Sequence, residues 1–287
     1  MEVVRAGIVE AAHRVHAVVV EGDRERLVVG DAGQLVFLRS AAKPLQALRV
    51  LRSRPELDDE QIVLCCASHL ARPEQLAVVE RTLAVAGVGE DALACGPTRI
   101  RHTCSGKHAG FLALCTAEGW PTDGYEAVGH PCQQAMRAEV AEATGVAPAA
   151  LGVGVDGCGV ATFAVPLAAA ARAFVRLREL EGGPRVVAAM QRHPSLLRGP
   201  VAADAVVMRA AAGWVAKGGA EGLFCASSPD GVGIALKIED GSFRPIRAAF
   251  AHVLRLLGHE AAAVDERVFR NARGEEVGLI RAVPAVG

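Results

Sequence analysis

Ser40 and Lys43 are the residues of this sequence whose types and spacing point most directly to chemistry. They lie three positions apart at the start of an apolar-periodic segment, so a helix would place both side chains on one face. A serine hydroxyl becomes a nucleophile when a base takes its proton, and a lysine desolvated against apolar walls can be that base. The Ser-x-x-Lys spacing therefore predicts a serine nucleophile with a lysine base. An N-cap serine followed by a surface lysine is the alternative that the same spacing allows.

Lysine is scarce in this chain, and the scarcity favours a chemical role for Lys43. Only four of the 31 basic residues are lysines, at positions 43, 107, 217 and 237. Arginine therefore supplies nearly all of the ordinary surface positive charge. Because arginine does not deprotonate in proteins, the few lysines are expected where the chemistry needs an amine.

Two further polar segments interrupt apolar runs. Residues 66–69 follow an apolar helical pattern, where a serine and a histidine fit either a functional loop or a C-terminal cap near the helix dipole. In residues 103–110 the pair Ser105-Gly106 stands at a predicted helix start. Free backbone N–H groups there suit a carboxylate or an oxyanion. The spacing of a phosphate-binding loop is absent, which excludes that interpretation.

The eight cysteines occupy two kinds of sequence environment. Six are interpreted as small core residues, while Cys104 and Cys158 lie in polar, glycine-rich loops. Thiolates in such loops are candidate metal ligands, with Zn²⁺ the first choice, although two cysteines require further ligands. For the loop around Cys158, which also contains Asp156, a tight turn with a filler cysteine is the alternative.

The composition limits the class of protein. Of the 287 residues, 51% are hydrophobic but only 4% are aromatic, so Ala, Val and Leu must build the core. A net charge of −1 and a pI near 6.8 provide no basic surface for nucleic acid or an anionic membrane. The N-terminus lacks a signal-peptide pattern, and no uncharged run reaches membrane-spanning length. The sequence therefore predicts a cytoplasmic protein with reduced thiols.

The order of predicted elements indicates an α/β fold of the α+β type. Residues 2–38 have the pattern of short antiparallel strands, the middle of the chain is almost all helical, and strand patterns return at 223–239 and 277–280. The simplest solution is one antiparallel sheet from both chain ends, covered by helices, with a helical lobe beside it and a site between them. The predicted single domain is 1–287, with a sheet lobe of 1–53 and 213–287 and a mainly helical lobe of 54–212.

Several motifs occur in one order along the whole chain. They are Arg39-Ser40-Ala41-Ala42-Lys43, Ala67-Ser68-His69, Cys104-Ser105-Gly106-Lys107-His108-Ala109-Gly110-Phe111, Asp156-Gly157-Cys158 and Lys217-Gly218-Gly219-Ala220-Glu221-Gly222. In this order they resemble the thermolabile, Rhizobium-type L-asparaginase family, which is distinct from the threonine-nucleophile asparaginases. The resemblance implies a fold like that of serine β-lactamases and glutaminases, hydrolysis of L-asparagine to aspartate and ammonia, and a homodimer.

The same resemblance implies roles for individual residues. Ser40 would be the nucleophile and Lys43 its base, and Ser68 and Lys237 would form a second Ser–Lys pair. The residues implied as ligands of a zinc ion are Cys104, Lys107 and Cys158. The residues implied around the substrate are Arg39, His69, Ser105, Gly106, His108 and Asp156.

Other functions share parts of this pattern. A β-lactamase or peptidoglycan peptidase also uses Ser-x-x-Lys, but the absence of an export pattern argues against a substrate outside the cytoplasm. A cytoplasmic hydrolase of glutamine or another amide fits the same residues. A non-catalytic, zinc-dependent ligand-binding homologue is the non-enzymatic alternative, and retention of both serines and all four lysines in the motifs argues against it.

Overall fold

Strands come from the two ends of the chain and from one hairpin in its middle. The computed structural model describes residues 1–283. The strands are β1 (Glu2–Arg5), β2 (Ile8–Ala12), β3 (Val15–Glu21), β4 (Arg24–Val29), β5 (Leu35–Phe37), β6 (Gly152–Val155), β7 (Ala161–Pro166), β8 (Val215–Gly218), β9 (Leu223–Ser227), β10 (Val232–Ile238), β11 (Val268–Arg270) and β12 (Glu276–Arg281). The helices are α1 (Lys43–Ser53), α2 (Asp59–Cys66), α3 (Pro73–Ala86), α4 (Ser105–Glu118), α5 (Pro131–Thr144), α6 (Leu167–Arg176), α7 (Gly183–Arg192), α8 (Ala203–Ala210) and α9 (Ile246–Leu256). The predicted α/β class is confirmed.

The strands form three antiparallel sheets, so the prediction of one sheet is wrong. The main sheet has the order β4-β3-β10-β9-β8, and a separate sheet has the order β11-β12-β1-β2. The third contains β5, β7 and β6. Both larger sheets do join the two chain ends, as predicted. The burial of the strands agrees with their places in two separate sheets. Val18 and Val19 are buried on opposite faces of β3, as expected for an inner strand, whereas Ile8 on β2 is 72% exposed, as expected for an edge strand.

Helices cover both faces of the main sheet. On one face, α9 inserts Phe250 against Phe224 of β9, with ring centroids 5.4 Å apart. On the other face, α6 lies so close to β10 that a Cβ at Gly233 would be 2.5 Å from the carbonyl oxygen of Ala171. This close approach explains a glycine inside a buried strand. Helix α6 follows directly after β7, and it is the helix that covers this face of the sheet.

The remaining helices form the lobe beside the sheet. α1, α2 and α4 contact one another, and α1 also contacts α5. The main core cluster continues from the sheet into this lobe through Leu45, Leu48 and Leu112, all fully buried. Within residues 1–283, no helix combines the length and apolar character that a bilayer crossing requires.

Candidate active site

Ser40 lies in a 3-10 turn, Arg39–Ala42, that joins β5 to α1. Helix α1 begins only at Lys43, so Ser40 stands one turn before the helix and not at its N-cap. Arg39 has a φ of 49°, a left-handed conformation that is uncommon for a residue with a side chain. Its N–H donates to Thr162 Oγ1 of β7 at 3.3 Å. The turn therefore holds Ser40 at the junction of the third sheet and the helical lobe.

A chain of hydrogen bonds links Lys43 to Ser40 through Ser68. Lys43 Nζ donates to Ser68 Oγ at 2.9 Å, and Ser68 Oγ donates to Ser40 Oγ at 3.0 Å. Lys43 Nζ also donates to the carbonyl oxygen of Ala67 at 2.5 Å. Because hydroxyl hydrogens rotate, a proton can also pass along this chain from Ser40 toward Lys43. The structure thus brings together the three residues that the motifs predicted, with Ser68 between the other two.

The environment of Lys43 favours its neutral form. The side chain is 1% exposed, and burial lowers its pKa. The Cys104 thiol, 3.4 Å from Nζ, acts in the opposite direction, and the positive charge of Lys107 lowers the pKa further. The net effect is a pKa below that of an ordinary lysine, which is what a lysine base requires.

Lys237 does not form the expected pair with Ser68. Its ammonium, on the inner strand β10, donates to the carbonyl oxygens of Glu221 and Ile238 at the end of the sheet. It is half-buried there, whereas Ser68 Oγ is bonded to Lys43. Strand order explains the difference: β8, and not β10, is the edge strand that contacts the turn of Ser40.

Lys217 on β8 is the lysine at this site that sequence reasoning assigned no role. It is 2% exposed, donates to the carbonyl oxygen of Gly218 at 2.8 Å, and lies 3.7 Å from Asp204 Oδ2. Burial lowers the pKa of Lys217 to about 8, with Asp204 raising it and Lys43 lowering it. The scarcity of lysine and the Lys-Gly-Gly motif were the signals that could have identified it.

Cys104, Lys107 and Cys158 converge beside Lys43. Cys104 is the N-cap of α4, Lys107 is in its first turn, and Cys158 is in the turn between β6 and β7. Lys107 Nζ donates to Cys158 Sγ at 3.1 Å, and Lys43 Nζ donates to Cys104 Sγ at 3.4 Å. All three side chains are buried. The structure therefore assembles the predicted ligand set from two segments about fifty residues apart.

The charges of this cluster are set by contacts among its own members. The neighbouring Cys158 thiol lowers the pKa of the Cys104 thiol far below its usual value, and Cys104 in turn raises the pKa of Cys158. Burial opposes the charge on Lys107, but the sulfurs of Cys158 and Cys104 outweigh burial and raise its pKa. Cys104 is thus the more acidic of the two thiols, and the cation beside it is Lys107.

The cluster has the donor chemistry that Zn²⁺ prefers. Lys107 Nζ and Cys158 Sγ are 3.1 Å apart, and the Cys104 sulfur is close enough to shift the pKa of both, so two sulfurs and one amine converge in one place, as ligands of one small ion must. Across residues 1–283, no three His, Cys, Asp or Glu side chains are grouped for a metal, so an ion here would need the Lys107 amine. Binding would displace protons from Cys158 and Lys107, as is usual for metal ligands. The residues present fit the zinc ion that the resemblance implied.

His69 and Ser105 do not face a substrate, contrary to expectation. Both side chains are fully buried, and His69 Nε2 is 2.8 Å from Ser105 Oγ. Ser105 donates to the carbonyl oxygen of Ile100 at 2.7 Å, and His69 Nδ1 accepts from the N–H of Ala71 at 3.1 Å. Burial lowers the pKa of His69 to about 4, so the ring is neutral. The pair fixes the Ser68 loop to the start of α4.

Gly106 and His108 are also buried in helix α4. A Cβ at Gly106 would be 2.3 Å from the carbonyl oxygen of Leu64, so this glycine permits the close approach of α4 to α2. His108 Nδ1 and the hydroxyl of Tyr125 are hydrogen-bonded at 2.6 Å, and burial lowers the pKa of His108 well below its usual value. Its Nε2 has no hydrogen-bond partner among residues 1–283. Gly106 therefore has a packing role, whereas His108 retains a ring nitrogen without a partner among the described residues.

Arg39 and Asp156 form the more accessible part of the site. Arg39 Nε donates to Asp156 Oδ1 at 2.7 Å, and the same oxygen accepts from the N–H of Gly157 at 2.7 Å. The side chain of Arg39 is 31% exposed, and that of Asp156 is 11% exposed. This pair spans the gap between the turn of Ser40 and the loop of Cys158. Of the residues expected around the substrate, these two are the ones placed to meet it.

Comparisons with known proteins agree with the motifs. Residues 1–282 match the family model described as L-asparaginase II. A search of curated proteins finds no significant match.

Similar solved structures include the native form of Mglu, with 16% identity, a TM-score of 0.43, and coverage of 93% of this chain and 72% of that chain. Mglu in 4.3 M NaCl has 16% identity, a TM-score of 0.41 and coverage of 87% and 61%. A β-lactamase from Mycobacterium bovis has 14% identity, a TM-score of 0.40 and coverage of 85% and 94%. Because these TM-scores are below 0.5, the likenesses decide neither fold nor function.

Proposed function

The chain belongs to the L-asparaginase II family and is an amidohydrolase acting on a small-molecule amide, and we propose that it hydrolyses L-asparagine to aspartate and ammonia through an acyl-enzyme on Ser40. One observation carries the proposed mechanism. The buried Lys43 Nζ, the Ser68 hydroxyl and the Ser40 hydroxyl are joined by hydrogen bonds of 2.9 and 3.0 Å. That arrangement supplies a nucleophile and a path for its proton to a lysine base.

In the acylation step, Ser40 Oγ attacks the side-chain amide carbon of asparagine. Its proton passes to Ser68 Oγ while the proton of Ser68 passes to neutral Lys43 Nζ, as the hydrogen-bond chain allows. The backbone N–H of Ser40 stabilises the oxyanion. Lys43 then returns the proton to the departing nitrogen. The C–N bond breaks, ammonia leaves, and an ester joins aspartate to Ser40.

In the deacylation step, water attacks the ester and the same residues act in reverse. Lys43, through Ser68, accepts the proton of the attacking water and returns it to Ser40 Oγ as the ester bond breaks. Aspartate leaves, and the hydroxyl of Ser40 is regenerated. One base therefore serves both half-reactions.

The charged residues at the mouth of the site match the two charges of an amino acid. Arg39 uses Nε to bind Asp156, which leaves the outer guanidinium nitrogens for the α-carboxylate. Asp156, 11% exposed, offers a carboxylate to the α-ammonium group. An amide that lacks these two charges would lose both contacts.

The proposed zinc ion would be held by Cys104, Lys107 and Cys158. When bound, it would supply fixed positive charge close to Lys43 and the substrate carboxylate. We expect Cys158→Ser to weaken zinc binding by more than about 100-fold, because it removes one of two sulfur ligands. Competition with a chromogenic zinc chelator measures this without reference to activity. Cys115→Ala, which removes a buried thiol near the other end of α4, should leave zinc affinity unchanged. Equal affinity in the Cys158 variant would contradict the ligand assignment.

Ammonia release from L-asparagine and L-glutamine by purified protein tests the proposed function. We expect release from asparagine with a much higher kcat/KM than from glutamine, and no turnover of a chromogenic β-lactam. Faster release from glutamine would assign the enzyme to that amide. Stoichiometric binding of asparagine with no ammonia would support the non-catalytic alternative.

Replacing Ser68 by alanine should interrupt the proton path while leaving Ser40 and Lys43 in place. We expect kcat for asparagine to fall by about 100-fold, because Lys43 and Ser40 are joined through the Ser68 hydroxyl. Steady-state ammonia release measures the effect. Ser242→Ala, in a turn that follows β10, is the matched control and should retain wild-type kcat. Full activity of the Ser68 variant would show that Lys43 acts on Ser40 without it.

The family also suggests an assembly and a location. We propose a cytoplasmic homodimer that does not bind nucleic acid, consistent with a net charge of −1. Light scattering of the purified protein, with a molar mass of twice 29.8 kDa expected, tests the dimer.

A further inference from the structure

Asp204 and Lys217 form a buried ion pair behind the candidate active site. Asp204 is 4% exposed in the first turn of α8, and its Oδ2 lies 3.7 Å from Lys217 Nζ on β8. Isolated buried charges are costly, so both groups need partners. Asp204 Oδ1 also accepts from the N–H of Ala205 at 3.1 Å, which orients the carboxylate. Neither the motifs nor the family comparison gave Asp204 a role.

Lys217 is surrounded by groups of mixed charge. The titratable and charged groups that face it are Lys43 of α1, Cys66 of α2, Arg198 in the loop before α8, Asp204 of α8 and Cys225 of β9. The Arg198 guanidinium disfavours a positive charge on Lys217, and so does Lys43 whenever it carries a proton. Burial raises the pKa of the Cys66 thiol, and it raises the pKa of the Cys225 thiol to about 12, so both are neutral. Asp204 is the carboxylate among these groups.

We propose that Asp204 is a positioning residue that keeps Lys217 a cation on β8, the strand that contacts the turn of Ser40. The contact of 3.7 Å and the burial of both side chains carry this inference. Lys217 then differs in charge from Lys43, the neutral base. The cation favours the oxyanion and the substrate carboxylate, so the inference rests on the proposed amidohydrolase function for its effect on activity.

The direct test is the titration of Lys217 in the folded protein. With only four lysines in the chain, ¹³Cε-labelled lysine gives few NMR signals, and Lys217→Met assigns the relevant one. We expect Asp204→Asn to lower the pKa of Lys217 by at least about one unit from its value near 8. The matched control is Asp123→Asn, which makes the same change at an exposed position and should leave that titration unchanged.

The kinetic test is the pH profile of kcat/KM for asparagine. In Asp204→Asn, the alkaline limb of the profile should move to lower pH by the same amount as the pKa of Lys217. In Asp204→Glu, which keeps a carboxylate, the limb should lie closer to its wild-type position. A purely structural role would lower activity or stability without moving the limb. If Asp204→Asn does not fold, the Lys217 titration of Asp204→Ala, which also removes the carboxylate, decides, and a pKa equal to that of wild type contradicts the proposal.

The two hypotheses fail in different ways. An unchanged Lys217 titration in Asp204→Asn would overturn the role of Asp204 whatever the activity. Wild-type protein without ammonia release from either amide would overturn the proposed function, while the lysine titration would still report on Asp204.

Discussion

Replacing Ser40 by alanine is expected to reduce ammonia release from asparagine by about 10⁴-fold or more. The variant keeps the turn and the buried lysine but lacks the oxygen that forms the ester. Its effect should lie in kcat, because the charged groups proposed to bind the amino acid, Arg39 and Asp156, are unchanged. Steady-state ammonia release and the absence of a burst of product in rapid-mixing experiments measure it.

Ser53→Ala provides the matched control for this variant. Ser53 ends α1 and donates to Glu118 on the protein surface, so its loss should leave turnover unchanged. Circular dichroism and thermal unfolding of both variants establish that they are folded. An alanine variant at Ser40 with near-normal turnover would refute Ser40 as the nucleophile and leave the fold assignment intact.

Replacing Lys43 by methionine should lower kcat by about 10²–10⁴-fold. Methionine fills a similar buried volume but cannot accept a proton, and Ser68 Oγ loses its donor at 2.9 Å. Lys43→Arg should be equally impaired, because a guanidinium does not deprotonate in proteins. The measurement is single-turnover acylation with asparagine, which isolates the step that needs the base.

The matched control is Lys237→Met, the same change at the lysine that the motifs had paired with Ser68. Its ammonium lies among the backbone oxygens of Glu221 and Ile238, away from the Ser68 hydroxyl. We therefore expect wild-type kcat. A loss at Lys237 comparable to that at Lys43 would mean that the sequence-based pairing is correct and that the contacts of Lys237 in the structure do not represent the active form.

Much of the fold could be predicted from local pattern. The helix after residues 58–59, the helix opened by Ser105 and the strands at both chain ends follow from caps, apolar period and turn residues within a few positions. The division into three sheets could not be predicted in this way. It depends on which strands become neighbours, and β3 pairs with β10 more than two hundred residues away.

The predicted site residues also divide into those that a local pattern identifies and those that depend on long-range contacts. The spacing of Ser40 and Lys43 and the positions of Cys104 and Lys107 are local, since each pair lies within one helical turn. Lys107 and Cys158 are distant in sequence, and their contact of 3.1 Å is not a local feature. Spacing alone left open which ligands would join the two cysteines, and only the family resemblance implied that Lys107 is one of them. His69 and Ser105 were misassigned because their polarity indicates function equally well whether a side chain faces solvent or, as here, a buried partner.

By itself, the sequence determined the family, the α/β class, the Ser-x-x-Lys pair and the scarcity of lysine that marks the amines with chemical roles. Only the tertiary structure decided that Ser68 lies between Lys43 and Ser40, and that Lys217, paired with Asp204, stands near them in place of Lys237. The physical reason is strand order. Both lysines are in strands with similar patterns, but β8 is at the edge that contacts the Ser40 turn, and β10 is an inner strand of the sheet. No local pattern records which strand becomes the edge.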